Sequence, residues 1–246
     1  MGAARTPGTR ALAMTAMILA AGFGTRLAPL TDSLPKALIP VAGRAMLDRC
    51  IDRLAASGCS RIVINAHHHL PMMREHVRHI DTAVEIILSE EEEILGTGGG
   101  VLHAMEHLRN EPYFIVHNVD IASDFDLANL VDSHTHHRPL ATLAVMDRKT
   151  SRGVLFDADG QFLGKEVWYE DAPPPEAQYR YGFCGIHVVS REIFDLGYEH
   201  GFSDIFDVYR FAMRNGMTVR GVECRGNWFD LGTKERIDRY EKHLAT

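Results

Sequence analysis

The residues best placed to do chemistry begin with LAAGFGTRLAPLTDSLPKALIPV, Leu19 to Val41, where glycines, Arg26 and Lys36 follow a short apolar run. Gly22-Phe23-Gly24-Thr25-Arg26-Leu27 opens like a dinucleotide-binding turn, but Leu27 stands where the third glycine belongs. Such a turn must also lead straight into a long helix whose amino terminus faces the pyrophosphate. Here Pro29, Pro35 and Pro40 follow at short intervals, and proline is excluded from helix interiors. A G-x-x-x-x-G-K-[ST] loop is also absent. What remains is a glycine turn with exposed amides, then two cations on a proline-braced loop. Glycine lets the backbone approach an anion closely, Arg26 can fork two phosphate oxygens, and Lys36 supplies a compact charge. The stretch therefore suits the phosphates of a nucleoside triphosphate.

The pattern L-x-x-G-x-G-T-R-L-x-P-L-T-x-x-x-P-K-x-L-x-P, Leu19 to Pro40, closely resembles the signature of the sugar-1-phosphate nucleotidylyltransferases. The resemblance continues through LGTGGG (Leu95–Gly100), HNVD (His117–Asp120) and NWFDLGT (Asn227–Thr233), and so spans nearly the whole chain. It implies attack by a sugar 1-phosphate on the α-phosphorus of a nucleoside triphosphate, with release of pyrophosphate. Arg26 and Lys36 would be the catalytic cations. Ala20, Gly22, Gly24, Thr25, Glu91, Gly96 and Gly98 would hold the nucleotide. Asn118, Gly153, Lys165 and Gly185 would hold the sugar phosphate, although Lys165 arrives early for the family's lysine and no proline follows it. Asp120 and Asp230 would hold Mg2+, an ion that takes one or two carboxylates and fills its octahedron with phosphate and water.

In this family a side chain five residues before the glycine of LGT reads the base, which is Glu91 here. A carboxylate only accepts hydrogen bonds, so it suits the N1–H and N2–H₂ edge of guanine or the N3–H of uracil or thymine. The short form resembles both the muramate-1-phosphate uridylyltransferases and the mannose- or heptose-1-phosphate guanylyltransferases. Uridylyl transfer to an N-acetylmuramate-type sugar is the leading expectation, with guanylyl transfer kept open by Glu91. A non-catalytic nucleotide-sugar sensor on the same fold is the reading from another class.

These residues must be positioned by alternating elements. Apolar runs predict strands at 17–21, 61–65, 84–88, 113–117 and 141–146. Helical spacing predicts helices at 46–57, after Leu70, at 100–108, 127–136, 204–215 and 234–243. The βαβα alternation implies an α/β, Rossmann-like three-layer fold with a mixed, mostly parallel central sheet. A hairpin is expected across Asp159-Gly160, a surface loop over 171–178, and a strand in RYGFCGIHVVS. Residues 1–14 read as a flexible tail and 15–246 as one domain.

The whole chain narrows the classes further. A net charge of −7 argues against a nucleic-acid partner, so any phosphate site must be a local concentration of cations. No apolar run is long enough to span a bilayer. Arg5 and Arg10 before ALAMTAMILAA imitate a secretory signal, but cleavage near Ala21-Gly22 would strip the glycine loop of its strand. Four separated cysteines without a C-x-x-C pair fit reduced thiols in a cytoplasmic protein, a monomer or homodimer. The histidine groups 67–69 and 134–137 lack metalloprotease spacing and read as surface or structural side chains.

Overall fold

A computed structural model describes residues 14–170 and 172–246. The expected tail thus lies outside the described residues except for Met14, which already belongs to the first strand. In chain order the elements are β1 (Met14–Leu19), β2 (Pro40–Val41), β3 (Arg44–Ala45), α1 (Met46–Ala56), β4 (Cys59–Ala66), α2 (Leu70–Arg78) and β5 (Glu85–Glu90). Then come α3 (Gly96–His103), α4 (Met105–Leu108), β6 (Tyr113–Asn118), β7 (Ile121–Ser123), α5 (Leu127–His137) and β8 (Ala141–Met146). The chain closes with β9 (Gly153–Phe156), β10 (Phe162–Lys165), β11 (Tyr179–Ser190), α6 (Ile205–Arg214), β12 (Val219–Glu223), β13 (Trp228–Asp230) and α7 (Lys234–Leu244).

β1 is the pivot. It pairs in parallel with β4 on one side and β6 on the other, so the apolar run that imitates a leader is a central strand. The main sheet has nine strands, with the path β10-β9-β11-β6-β1-β4-β5, with β8 beside β11 and β12 beside β8. β6-β1-β4-β5 is parallel, and β11 runs antiparallel to β6, β8 and β9, which makes the sheet mixed. Strand parity builds the three layers. In β1, Ala16 and Ile18 enter one core with Ile62, Ile115 and Leu47, while Met17 enters the other with Val63, Phe114 and Tyr209. Successive side chains of a strand point to opposite faces, so a strand buried on both faces is mostly apolar, as the middles of β1, β4 and β6 are, and the buried Asn65 and His117 near the ends of β4 and β6 are hydrogen-bonded.

The chain passes from β1 outward to β4 and β5, then returns to place β6 on β1's other side. That reversal opens a crevice beyond the carboxyl ends of β1 and β6, where open α/β sheets bind ligands. Leu19 and Asn118, registered partners, end their strands there.

Two features depart from the sequence expectation. The helix expected at 100–108 begins at Gly96 and breaks into α3 and α4. Glycines are weak helix formers, but here they seat the backbone of α3 directly on the segment before α6. A Cβ at Gly99 would lie 2.1 Å from Gly201 O, and one at Gly98 would lie 2.9 Å from Asp204 O. The second is a ribbon of β7 and β13, too short for a periodic signal, in which Asp230 registers with Ile121. Among the described residues no helix is long and apolar enough to cross a membrane, and all four cysteines are free and buried.

His134 is structural, as expected of its group, and sits between Thr142 Oγ1 (2.9 Å) and Ser190 Oγ (3.0 Å). His117 and His187 are equally buried. Burial pushes His117 and His134 down to about 4 and His187 to about 3, so all three fold as neutral rings. In the unfolded chain each titrates near about 6.5, and protons then favour unfolding. The stability these rings contribute is present above that value and is lost as pH falls from about 6.5 towards 4. We expect the urea midpoint to drop between pH 7 and pH 5 by the equivalent of roughly several kcal/mol. His134→Asn should flatten that slope, and a midpoint unchanged from pH 7 to 5 would contradict the assignment.

Candidate active site

The glycine turn is held from below. Ala20 N–H donates to Asn65 Oδ1 (2.7 Å), at the end of β4. Gly24 takes a left-handed φ of 65°, and a Cβ there would lie 2.9 Å from both Lys36 Cβ and Thr31 Cγ2. Glycine is therefore required for the turn to close on the proline loop, which proceeds in short 3-10 turns at Thr25–Leu27, Leu30–Asp32 and Lys36–Leu38. The last of these delivers Lys36 to Asp120, with which it forms an ion pair whose side chains are only 14% and 13% exposed.

Asp120 follows β6, and Leu231 N–H donates to its carbonyl (2.7 Å), so the β7–β13 ribbon brings Asp230 to the same wall. Asp230 is ion-paired with Arg236 of α7, and its Oδ1 accepts from Gly232 N–H (2.8 Å). A Cβ at Gly232 would lie 2.8 Å from Arg26 Nη2, which places the first loop's arginine beside the second aspartate.

These groups surround two adjoining cavities. The smaller, about 190 Å³, is walled by Gly22, Lys36, Asn65, Gly96 and Val119 among others. The larger, about 770 Å³, takes Gly153, Lys165, Gly185, Phe206, Trp228 and Asp230. Leu19, Thr97, Asn118 and Asp120 line both and form the threshold between them. The walls carry Arg26, Lys36, Arg148, Arg152, Lys165 and Arg236 against Asp120, Asp204 and Asp230. An acidic chain has thus concentrated cations at one place, as a polyanion site demands. Gly185, with φ 75°, sits in a bulge of β11, and a Cβ there would meet Ile121 Cγ1 at 2.8 Å and Asn118 Nδ2 at 3.0 Å. Lys165 Nζ lies 3.8 Å from Asp204 Oδ2 across the large cavity.

Asp120 and Asp230 fit a divalent cation by their chemistry. They are two carboxylates on one wall, each balanced by a single cation, and no group of three or more His, Cys, Asp and Glu side chains competes among the described residues. That leaves the remaining ligand positions to phosphate and water.

Five expected nucleotide contacts are placed differently. Gly24 and Thr25 shape the turn without lining either cavity. Gly98 donates its N–H to Ser203 O (2.8 Å) and serves the packing of α3. Ala20 does line the small cavity, but its amide is taken by Asn65 and is not free for phosphate. The largest correction concerns Glu91, which is 1% exposed. Its Oε1 accepts from Asn65 Nδ2 (2.6 Å) and its Oε2 from Leu95 N–H (3.0 Å). Glu91 therefore does not face a base. It braces Asn65, which in turn holds the glycine turn, and it fixes the entry to α3. Sequence reasoning also missed Asn65, Arg148 and Arg236, since none lies in a recognisable run.

Residues 15–245 match the protein family described as Nucleotidyl transferase. The chain belongs to this family. It is 42% identical over 239 residues to N-acetylmuramate alpha-1-phosphate uridylyltransferase of Caulobacter vibrioides, covering 94% of this chain and 96% of that protein. It is 29% identical to a mannose-1-phosphate guanylyltransferase of Mycobacterium tuberculosis, with 94% of this chain matched to 64% of that protein. Other matched relatives are longer still, and the chain spans 51% of a bifunctional GlmU protein of Methanococcus aeolicus. Among solved structures, HddC from Yersinia pseudotuberculosis in complex with GMP-PN superposes with TM-score 0.75 at 19% identity, over 94% of this chain and 99% of that one. The inositol-1-phosphate CTP transferase from T. maritima gives TM-score 0.78 at 18% identity, over 95% and 96%. The α/β fold of this nucleotidyltransferase is thus shared at low sequence identity.

Truncating Glu91 to Ala leaves Asn65 Nδ2 and Leu95 N–H buried without their acceptor. We expect a loss of about 2–4 kcal/mol in urea denaturation. Glu91→Gln, which supplies one acceptor oxygen and a competing donor, should lose less. Neither variant should alter the ratio of kcat/KM for UTP over GTP; a change in that ratio with stability preserved would return Glu91 to the base.

Proposed function

We propose that the chain transfers a uridylyl group from UTP to N-acetylmuramate 1-phosphate, releasing pyrophosphate, in a reaction that depends on Mg2+. The observation that carries the reading is the 42% identity to the Caulobacter vibrioides uridylyltransferase over nearly the full length of both chains. The guanylyl alternative loses its sequence-based support, because the carboxylate meant to read guanine is engaged within the fold.

The two cavities divide the substrates. UTP enters the small cavity, its phosphates reaching past Lys36 towards Arg26, and the acceptor occupies the large one. An acceptor phosphate oxygen attacks the α-phosphorus; the new O–P bond forms as the bond to the β-phosphate bridging oxygen breaks, and pyrophosphate departs. No side-chain nucleophile is required, so positioning and charge stabilisation do the catalysis. Two unit charges about 4 Å apart repel by roughly 4 kcal/mol at an effective dielectric near 20. Lys36 and Arg26 offset that repulsion, and Arg26 holds the leaving pyrophosphate. Held by Asp120 and Asp230, Mg2+ would neutralise phosphoryl oxygens at the reacting centre. Gly153 and Gly185 admit the sugar close to the backbone. The reaction calls for two small-molecule substrates, the nucleoside triphosphate and the sugar phosphate.

The test is pyrophosphate release across UTP, GTP, CTP, dTTP and ATP, each with N-acetylmuramate, N-acetylglucosamine, mannose and heptose 1-phosphates. UTP with N-acetylmuramate 1-phosphate should give the highest kcat/KM and lose activity on chelation. Arg26→Ala should lower kcat by about 10²–10³, and Asp120→Ala should abolish it. Preference for GTP with mannose or heptose 1-phosphate would replace this reading by the guanylyl one. Nucleotide binding without turnover on any acceptor would favour a sensor.

A further inference from the structure

The half-buried cations that face the two cavities are Lys36, Arg148, Lys165 and Arg236. Lys36 has Asp120, Arg236 has Asp230, and Lys165 has Asp204 at 3.8 Å. Arg148 has no carboxylate within ion-pair distance among the described residues. Its guanidinium is held instead by an aromatic ring and the strand backbone. It packs on the Trp228 ring at 4.2 Å from the centroid, and Nη2 donates to Phe183 O (2.9 Å). A Cβ on Gly182 would lie 2.6 Å from Nε and 2.7 Å from Cζ, so the strand backbone lies directly against the fork. Nε is itself buried without a partner.

A half-buried cation without a direct ion-pair partner is costly, and burial holds this guanidinium below the ordinary arginine value although Asp230 acts on it at longer range. The fold nevertheless fixes it with an aromatic ring, a carbonyl and a glycine, rather than letting it swing into solvent. A planar fork held in this way is preorganised for an oxyanion. Arg148 lines the large cavity alongside Gly153, Lys165 and Gly185, the residues expected to hold the sugar phosphate, and unlike Arg26 it is not carried on the triphosphate loop, so its anion is the acceptor's.

We propose that Arg148 is the anion hook for the acceptor, a guanidinium fixed between Trp228, Gly182 and Phe183 O that binds an oxyanion of the sugar phosphate and does not touch UTP. The inference rests on the assignment of the large cavity to the acceptor. Two oxyanions of N-acetylmuramate 1-phosphate share the required chemistry, the 1-phosphate and the lactyl carboxylate.

The experiment compares wild type, Arg148→Met and Gly182→Ala. Methionine retains the apolar stem against Trp228 without the charge. Alanine at 182 leaves Arg148 in place but drives its fork from its seat. Both variants should raise the acceptor KM about ten- to a hundredfold, with the KM for UTP within about twofold of wild type. An equal loss for N-acetylmuramate and N-acetylglucosamine 1-phosphates identifies the phosphate as the bound anion. A loss confined to the N-acetylmuramate compound identifies the carboxylate. The hook is overturned if folded Arg148→Met keeps the acceptor KM within twofold, or if UTP and acceptor weaken together. Calorimetry with the same two sugar phosphates and inorganic phosphate needs no turnover, so it separates this inference from the proposed reaction. Affinity lost in Arg148→Met supports the hook even in an enzyme that uses another base. Affinity equal in both proteins, or no binding of any probe to wild type, overturns it.

Discussion

The ion pair between Lys36 and Asp120 is the contact on which the site depends. It joins a loop that has no regular structure of its own to the rigid end of a central strand, across 84 residues of sequence. Everything upstream serves to deliver Lys36: Gly24 closes on its stem, Pro35 starts its short turn, and Glu91 with Asn65 secures the strand end from which the loop departs. Everything downstream depends on where Asp120 stands, because the ribbon carrying Asp230 is anchored to the Asp120 carbonyl. A surface ion pair is worth little, but this one is mostly shielded from water, so neither partner is lightly left alone.

That pairing also sets the electrostatics of the cavity walls. Asp120 and Asp230 each hold a cation, and the cation-rich wall is therefore partly neutralised before any substrate enters. In the proposed reaction, phosphates and a divalent ion would exchange partners with these pairs, Asp120 and Asp230 holding the metal and Lys36 and Arg236 facing phosphate. Charge would then be redistributed among groups already in place. Such preorganisation is how a site stabilises charge without reorganising at the moment of reaction. Arg148 and the exposed Arg26 make no direct ion pair among the described residues, although Asp230 lies near both, and they are left to meet the charge of the substrates.

The parts of this arrangement legible in the sequence are those written in local runs. The central strands are continuous apolar stretches, α1 and α6 show helical spacing, and the loop from Leu19 to Pro40 contains enough fixed positions to identify its family. What stayed hidden is long-range. β7 and β13 have three residues each, too few for a period, and they exist because they pair with one another. The glycines opening α3 argue against a helix locally, and only the segment at 201–204 repays them by close packing. Glu91 sits in a run of four acids that reads as solvated surface or as a base reader. Its neighbours Glu92 and Glu93 are exposed as such a run predicts, while Glu91 turns inward because Asn65 and the Leu95 amide offer donors there.

The division of the sheet separates two kinds of wall. The parallel strands β1, β4 and β6 end at the small cavity and carry the motif-bearing loop, so on the proposed reading the triphosphate meets backbone turns that tolerate little substitution. The antiparallel strands β9, β10 and β11, with β8 leading into Arg148, wall the large cavity mainly with side chains. Side chains on strand ends can be exchanged without rebuilding a turn, as inward-facing positions alternate with core positions along each strand. On the proposed reading, acceptor recognition belongs to the half of the chain whose motifs are weakest. The guanidinium seated on an indole there draws on residues from positions 148, 182, 183 and 228, which only the folded sheet brings together.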